Sequence, residues 1–238
     1  MSAAGVTGST ASPQEAGAGS SPSAALQVPR FAAKELTVKP VSVRVARQVC
    51  EVRHYLGSYP GGALLNFGIF VGNLLLGVAV LGVGPTNLHR LFQEAKRQEV
   101  ICLARLWLDD RLGRNSESRT LGYILRMLRR EQSTVKALVA YSDPTAGHTG
   151  TIYRAAGFLY LGESTAMPLY QLPDGSIHHS RSLSHRYGTH SRKHFASYGV
   201  EVELVEQLPK HIYVALIDPS WRDRLTRSVI PYPKQGDR

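Results

Sequence analysis

The sequence predicts an α/β protein in which a mixed, mostly antiparallel, twisted sheet is flanked by helices. Three patterns favour this fold class: apolar runs of strand length alternate with helical spacing, a tight Gly-Asn turn joins two of the runs, and a strand, helix, strand unit lies mid-chain. At 238 residues the chain is long enough to bury a core without disulfides or a structural metal.

The N-terminal segment has a composition that cannot form a core. Up to Gln27 it is largely Ala, Gly, Ser, Thr and Pro, with Glu15 as its only charged residue. We therefore expect residues 1–30 to be a disordered tail. We expect the main domain over residues 31–175, and residues 176–238 should add a basic arm, a final strand and a C-terminal tail that pack on it.

The first half of the main domain should contain a strand, a helix and a hairpin. Glu35–Pro40 has strand character, and the valines of Val41–His54 recur at every third or fourth position, as on one face of a helix. Two apolar strands, Leu64–Phe70 and Leu74–Leu81, flank Gly72-Asn73. This spacing predicts an antiparallel hairpin.

The second half should contain the strand, helix, strand unit. Val100–Leu108 and Val135–Tyr141 are apolar strands, and between them a helix that starts near Ser118 alternates leucines with arginines. After a short helix ended by Gly157, strands Phe158–Gly162 and Met167–Leu172 should close the domain. His211–Ile217 supplies the final strand.

Charge favours a polyanionic partner. The formal net charge is +10, and the stretch 176–195 contains histidines, arginines and a lysine but no acidic residue. We call residues 176–195 the basic arm and predict that it contacts the phosphates of a nucleic acid. Its candidate contacts are Arg181, His185, Arg186, Arg192 and Lys193. A basic protein without a nucleic-acid partner, or one attracted to acidic lipid, fits the charge less well.

Other bulk features narrow the class of protein. The two cysteines, Cys50 and Cys102, fit neither a disulfide framework nor a zinc cluster, which is consistent with a reducing cytoplasm. No apolar run is long enough to span a membrane, and the N-terminus lacks a signal peptide's pattern. No HxxxH or CxxC spacing makes a metal site convincing, and the histidine-rich stretch near the C-terminus is interpreted as a solvated, weakly basic surface.

Two polar segments follow predicted strands, where ligands commonly bind. The first, Asp109–Ser118, precedes a helix whose N-terminal N–H groups favour phosphate. An ordinary helix start, with Ser116 or Ser118 as the cap and Asn115 in a left-handed turn, explains it equally well.

The second polar segment holds Asp143 and Tyr153. Asp143 is either a base or a helix cap, and Tyr153 either points its hydroxyl at a substrate or covers the core. Arg105 lies inside an apolar strand and needs an acceptor, for which Asp143 is the candidate. A structural ion pair would explain this pair as readily as catalysis. His54 and Tyr55, at the end of the first helix, would alone read as a surface cap and a core aromatic.

As an ordered set, these residues resemble the phage Mom family over roughly residues 40–215. The matching motifs are His54-Tyr55, Arg105-Leu106-Trp107-Leu108, Asn115-Ser116-Glu117-Ser118-Arg119, Tyr141-Ser142-Asp143-Pro144, His148, Gly150-Thr151-Ile152-Tyr153 and Ala156. The resemblance implies a GNAT-like acyltransferase fold. It also implies an enzyme that converts adenine in DNA to an N6-carbamoylmethyl-type derivative, shielding phage DNA from restriction in the host cytoplasm.

The resemblance also implies a site and a donor. His54, Tyr55, Arg105, Asp143 and Tyr153 would be the catalytic set, with Asp143 and Tyr153 as acid/base candidates and Arg105 stabilising charge. Acetyl-CoA would be the donor. The residues implied in holding it are Arg114, Asn115, Ser116, Ser118 and Arg119. GNAT enzymes carry glycines where this chain has Ser116, Glu117 and Ser118. Iron has been proposed for the family, but no ligand spacing here supports it.

Three functions stay open at this point. The first is the DNA adenine-modifying enzyme, which would need the base flipped out of the duplex. The second is a GNAT-like N-acetyltransferase that acts on another amine, such as a hypermodified pyrimidine in DNA. The third is a DNA-binding protein without enzymatic activity. The oligomeric state is not indicated by the sequence.

Overall fold

The computed structural model describes residues 29–166, 169–179, 183, 188, 192–205 and 207–233. The strands in these ranges are β1 (Leu36–Pro40), β2 (Ala63–Val71), β3 (Leu74–Gly82), β4 (Val100–Leu108), β5 (Ala137–Ser142), β6 (Leu159–Glu163), β7 (Leu169–Gln171), β8 (Ile177–His179), β9 (Glu203–Val205) and β10 (His211–Leu216). The helices with described bounds are α1 (Val43–Arg53), α2 (Ser116–Glu131), α3 (Thr151–Ala155) and α4 (Arg192–Ser197).

The main sheet has seven strands in the order β1-β2-β3-β4-β5-β10-β6. Every neighbouring pair is antiparallel except β4 and β5, which are parallel. The predicted mixed, mostly antiparallel sheet flanked by helices is therefore confirmed. The β2–β3 hairpin is confirmed too, and Gly72 opens its two-residue turn with a φ of +58°, a conformation that glycine adopts without strain.

Helix α1 packs on one face of the sheet. It begins after Ser42, whose hydroxyl accepts a hydrogen bond from the N–H of Val45 at 3.4 Å. Its buried residues are Ala46 and Cys50, which pack against Val78 and Val80 of β3. The helix was predicted correctly, and Val41 and Val49 of the valine stripe pack against this cluster, whereas Val52 is 71% exposed.

Helix α2 packs on the opposite face. Its leucines and isoleucine are fully or almost fully buried against residues such as Ile101 of β4 and Leu138 of β5. On β3, Ala79 and Leu81 join this larger core, whereas the intervening Val78 and Val80 face α1. The β4–α2–β5 unit is thus the predicted strand, helix, strand unit, with two layers of helix around one sheet.

The C-terminal strand completes the main sheet in an unexpected place. β10 lies between β5 and β6 and pairs with both. The prediction that Met167–Leu172 closes this domain is wrong, because β7 pairs with β8 and β9 in a separate three-stranded sheet. A strand more than forty residues further along supplies the partner that β6 needs.

Half of the basic arm lies outside the described residues, including Arg181, His185 and Arg186. The backbone of Arg192 and Lys193 forms the start of α4. None of the helices within the described ranges is long and apolar enough to cross a membrane.

Candidate active site

The two parallel strands in the middle of the main sheet separate along their length. β4 and β5 pair only where Val100–Cys102 faces Ala137–Val139. Beyond Cys102, β4 continues to Leu108 bonded to β3, while β5 continues to Ser142 bonded to β10. The edge of β4 from Leu103 onwards therefore borders a gap in the sheet.

A pocket of about 520 Å³ occupies this gap. It is lined by the end of α1, the second half of β4, the start of α2, the end of β5 and the segment that leads into α3. The lining residues are Arg53, His54, Tyr55, Leu103, Ala104, Arg105, Leu106, Trp107, Leu108, Glu117, Tyr141, Ser142, Gly147, His148, Thr149, Gly150, Thr151, Ile152 and Tyr153.

Both faces of the sheet contribute to this lining. Arg105 pairs in register with Val80, so its side chain is on the α1 face, next to His54. Tyr153 belongs instead to the core beneath α2, where its ring lies 5.0 Å from that of Tyr213. The pocket is therefore lined from two sides, an arrangement in which two substrates can approach one point.

Arg105 is held by neutral acceptors. Its Nε donates to the Ser58 carbonyl at 3.0 Å, its Nη2 to the Ser58 hydroxyl at 3.3 Å, and its Nη1 to the Ala104 carbonyl at 2.7 Å. The predicted pairing of Arg105 with Asp143 is wrong, because the loop after α1 satisfies the guanidinium and Asp143 has other partners. Burial lowers the Arg105 pKa, yet an arginine stays charged near neutrality. Its positive charge faces the pocket without an ion pair to any described carboxylate.

His54 is a buried, neutral imidazole. Its Nδ1 accepts a hydrogen bond from the Leu56 N–H at 3.1 Å, which leaves the proton of the neutral ring on Nε2. Burial, followed by the charges of Arg105 and His148, lowers its pKa from 6.5 to about 4. At neutral pH, His54 therefore offers the pocket wall a ring without a charge.

Tyr55 stands at the mouth of the pocket. It is 59% exposed, and its ring stacks on that of His54 with centroids 4.5 Å apart and planes inclined by 28°. The ring of His148 meets it edge-on at 5.2 Å. Desolvation and the Asp143 carboxylate raise the pKa of the Tyr55 hydroxyl, so the phenol is protonated at neutral pH.

Tyr153 lies on the α2 face of the sheet and, unlike Tyr55, is buried. It is 8% exposed, and its hydroxyl is 3.5 Å from the Tyr141 carbonyl, a long contact for a hydrogen bond. Burial raises its pKa well above the ordinary value. The structure thus brings His54, Tyr55, Arg105 and Tyr153 together, with a proton held on the Tyr153 oxygen.

Asp143 lies beside the pocket but outside its lining. Its Oδ2 is 3.0 Å from the Lys210 ammonium and 3.4 Å from Gln207 Nε2, and its Oδ1 accepts the Thr145 N–H at 3.0 Å. Burial acts to raise the pKa of this carboxyl, but Lys210 and Thr145 together lower it below the ordinary value. Asp143 is thus an ionised cap of the turn that begins at Pro144.

The segment before α2 has an open helix start. Asn115 has a φ of +69°, the predicted left-handed turn, and the prediction that a serine caps the helix is wrong. The hydroxyls of Ser116 and Ser118 instead donate to the carbonyls of Gly113 at 2.6 Å and Asn115 at 3.1 Å. The N–H groups of Glu117 and Ser118 have no acceptor among the described residues.

The cations and the carboxylate near this helix start are placed differently. Arg114 and Arg119 are exposed, with the Arg119 guanidinium 5.4 Å from the Tyr123 ring centroid. Glu117 supplies the one carboxylate among the described lining residues, and sequence reasoning missed it as a site residue. A glutamate in the first turn is ordinary for any helix, so no sequence signal distinguishes it.

Within the described residues, no group of three or more His, Cys, Asp or Glu could hold a metal ion.

Burial of Cys102 in the sheet raises its thiol pKa to about 12, which makes it a packing residue.

Comparisons with known proteins bear on the family. The chain is 29% identical over 215 residues to the "Methylcarbamoylase mom" of Escherichia phage Mu, covering 87% of this chain and 88% of the relative.

Solved structures similar to this one include acetyltransferases. AAC(6')-Ib in complex with paromomycin and acetyl-CoA matches 82% of this chain and 98% of its own, with 14% identity and a TM-score of 0.47. Spermidine N-acetyltransferase from Vibrio cholerae, in complex with CoA and spermine, matches 77% and 96%, with 7% identity and a TM-score of 0.43. At these scores the two structures add nothing to the assignment of chemistry.

The family model for the Mom proteins, described as "Mom protein family", matches residues 35–234. This range contains both sheets and the whole pocket, and it confirms the resemblance drawn from the motifs. The chain belongs to the Mom protein family.

Proposed function

We propose that this protein is a transferase that modifies adenine in DNA to an N6-carbamoylmethyl-type derivative and so protects phage DNA from restriction. Family membership and the name of the phage Mu relative support the reaction class. The observation that carries the proposal is the separation of β4 from β5 beyond Cys102, which opens a pocket lined from both faces. A donor and an acceptor need such a meeting point.

The donor in this proposal is an acyl-CoA-type thioester, and several features fit it. The edge of β4 from Leu103 to Leu108 has no β5 partner, so its backbone groups can bond the amides of an extended arm. The open N–H groups of Glu117 and Ser118, with the exposed Arg114 and Arg119, suit a diphosphate at the start of a helix. When bound, such a donor would supply the two-carbon unit of the group, whereas the N6–CH2 bond and the amide nitrogen of a carbamoylmethyl product require a second reactant and chemistry beyond acyl transfer.

The side chains in the pocket have complementary roles in this proposal. Arg105 stabilises negative charge that develops in the pocket, since no described carboxylate neutralises it. Tyr153 holds a proton at its hydroxyl and can donate it. Neutral His54 can donate from Nε2 without adding a second charge beside Arg105.

We propose a positioning role for Asp143. Its carboxylate is already engaged by Lys210 and Thr145, which leaves it poorly suited to act as a base. The turn that it caps leads directly into the lining residues Gly147 to Gly150. Asp143 thus fixes one wall of the pocket by holding the start of this loop.

DNA is the proposed acceptor. The net charge of +10 supports attraction to its phosphates, and we propose that Arg181, His185, Arg186, Arg192 and Lys193 of the basic arm contact them. The amino group of adenine must leave the base stack to reach a pocket within the sheet. We therefore propose that the protein acts on a flipped or unpaired base.

The direct test is mass spectrometry of nucleosides from the DNA of cells that express the protein. The proposal predicts an adenine nucleoside with added mass, absent from cells with the empty vector. Added mass on a pyrimidine nucleoside would instead indicate a GNAT-like transferase for another amine. Unmodified nucleosides, together with DNA binding in vitro, would indicate a DNA-binding protein without this activity.

A further inference from the structure

Three aromatic rings form a ladder at the mouth of the pocket. The His54 ring is buried, the Tyr55 ring lies on it with centroids 4.5 Å apart, and His148 contacts Tyr55 edge-on at 5.2 Å. All three residues line the pocket, and they come from two segments more than ninety positions apart. The fold has therefore assembled an aromatic surface at the entrance.

The exposure of Tyr55 is the unusual part of this ladder. A tyrosine of the core would be covered, yet Tyr55 is 59% exposed and is backed by a neutral ring. No hydrogen bond to the Tyr55 hydroxyl is found among the described residues, so the ring contacts alone hold the side chain. A flat, exposed aromatic ring backed by another is the arrangement on which nucleic-acid bases stack.

The surroundings of Tyr55 suit a nucleotide. Arg53, two residues earlier, is exposed and lines the same pocket, so we expect its guanidinium to reach a phosphate next to a base on Tyr55. Arg105 places a second cation inside the pocket. An aromatic ring and two cations that line one pocket match the base and backbone of one nucleotide.

We propose that Tyr55 is the platform on which the acceptor base stacks when it has left the duplex. This inference rests on the proposed function, and it assigns the acceptor to the α1 side of the pocket. The ring acts in this role, and the hydroxyl does not. A phenylalanine at position 55 should therefore preserve base stacking, whereas an alanine should abolish it.

The test measures binding, without any donor or turnover. Two fluorescent single-stranded 20-mers of deoxycytidine are compared, one with a central deoxyadenosine and one with a central abasic site. Wild-type protein, Tyr55→Phe, Tyr55→Ala and Leu56→Ala are titrated against both at one salt concentration. Leu56 is the control because it is the next residue, is 49% exposed and does not line the pocket.

The wild type, Tyr55→Phe and Leu56→Ala should bind the adenine strand about tenfold more tightly than the abasic strand, because of base stacking. Tyr55→Ala should lose most of this difference while its affinity for the abasic strand is unchanged. Equal binding of both strands by the wild type, or a difference retained in Tyr55→Ala, overturns the proposal. Failure of the proposed function would show separately, as unmodified adenine in cells expressing wild-type protein.

Discussion

Arg105 and Asp143 show how charge is distributed at this site. Arg105 is fixed by the Ser58 and Ala104 oxygens, which are neutral, so its full charge is available to the pocket. The Asp143 carboxylate is held by the Lys210 ammonium, which neutralises its charge. The cation thus faces the pocket, and the anion holds the loop that begins at Pro144.

The Asp143–Lys210 pair should stabilise the fold by about 1 kcal/mol, a value reduced because Lys210 is partly exposed. The lowered Asp143 pKa means that this contribution is present above pH 3.8 and is lost as the pH falls through the folded-state value. A double-mutant cycle with Asp143→Asn and Lys210→Met, followed by urea unfolding, measures it. Coupling that is absent at pH 7, or unchanged at pH 3, would contradict this account.

His54 should make stability depend on pH. Its pKa is about 4 in the folded protein and 6.5 when unfolded, so unfolding takes up a proton between these values. Stability from this group is complete above pH 6.5 and declines as the pH falls towards 4, by at most about 1.4 kcal/mol per unit. His54→Asn, which preserves an acceptor for the Leu56 N–H, should flatten the curve of unfolding free energy against pH. Parallel curves for variant and wild type would rule out a buried neutral His54.

At the level of single residues, the sequence predicted which side chains need a bonding partner more reliably than it predicted which residues those partners are. That Arg105 requires an acceptor follows from its place inside an apolar strand. That the acceptor is Ser58 could not be inferred, because a carbonyl in a loop 47 residues away leaves no pattern. That Lys210 is the partner of Asp143 could not be inferred either, because the two residues are far apart in sequence and no local pattern links them.

At the level of elements, the separation of β4 from β5 creates the pocket. The two strands are predicted by their apolar runs, and the hairpin before them by its Gly-Asn turn. The position of β10 could not be predicted, since it pairs with β5 across about seventy to eighty positions. Local patterns determine strands well, but they carry little information about which distant strand fills an edge.

Gly150 should be indispensable to the wall of the pocket. It has a φ of +72°, and a Cβ there would collide with the hydroxyl and ring of Tyr213. Gly157 has a similar φ of +77° but open space around it, which makes it a matched control. Gly157→Ala should cost about 1–2 kcal/mol of unfolding free energy. Gly150→Ala should cost roughly 2 kcal/mol more and also reduce modification, because overpacking is added to backbone strain. Equal losses of unfolding free energy in both variants would show that a Cβ at position 150 does not collide with Tyr213.

At the level of the whole molecule, charge connects the fold to its proposed partner. The net charge of +10 predicts DNA binding that weakens steeply with salt. Arg181→Ala combined with Arg186→Ala should lower the slope of log K against log salt by about 2, one for each lost phosphate contact. Arg222→Ala, at an exposed position outside the arm, should leave that slope unchanged. An equal fall of this slope in Arg222→Ala would show that the basic arm contributes no more to DNA binding than another exposed arginine.

We propose that the base is modified in the pocket between β4 and β5. Tyr153→Phe removes only the pocket hydroxyl and one long hydrogen bond, so the protein should fold and bind DNA as before. Tyr123→Phe, which removes a hydroxyl on α2 outside the pocket, is the control. Nucleoside mass spectrometry of DNA from expressing cells should show modified adenine for the wild type and Tyr123→Phe, and none for Tyr153→Phe. Adenine modified to the wild-type level by a folded Tyr153→Phe protein would show that the Tyr153 hydroxyl, and with it this pocket, is not where the base is modified.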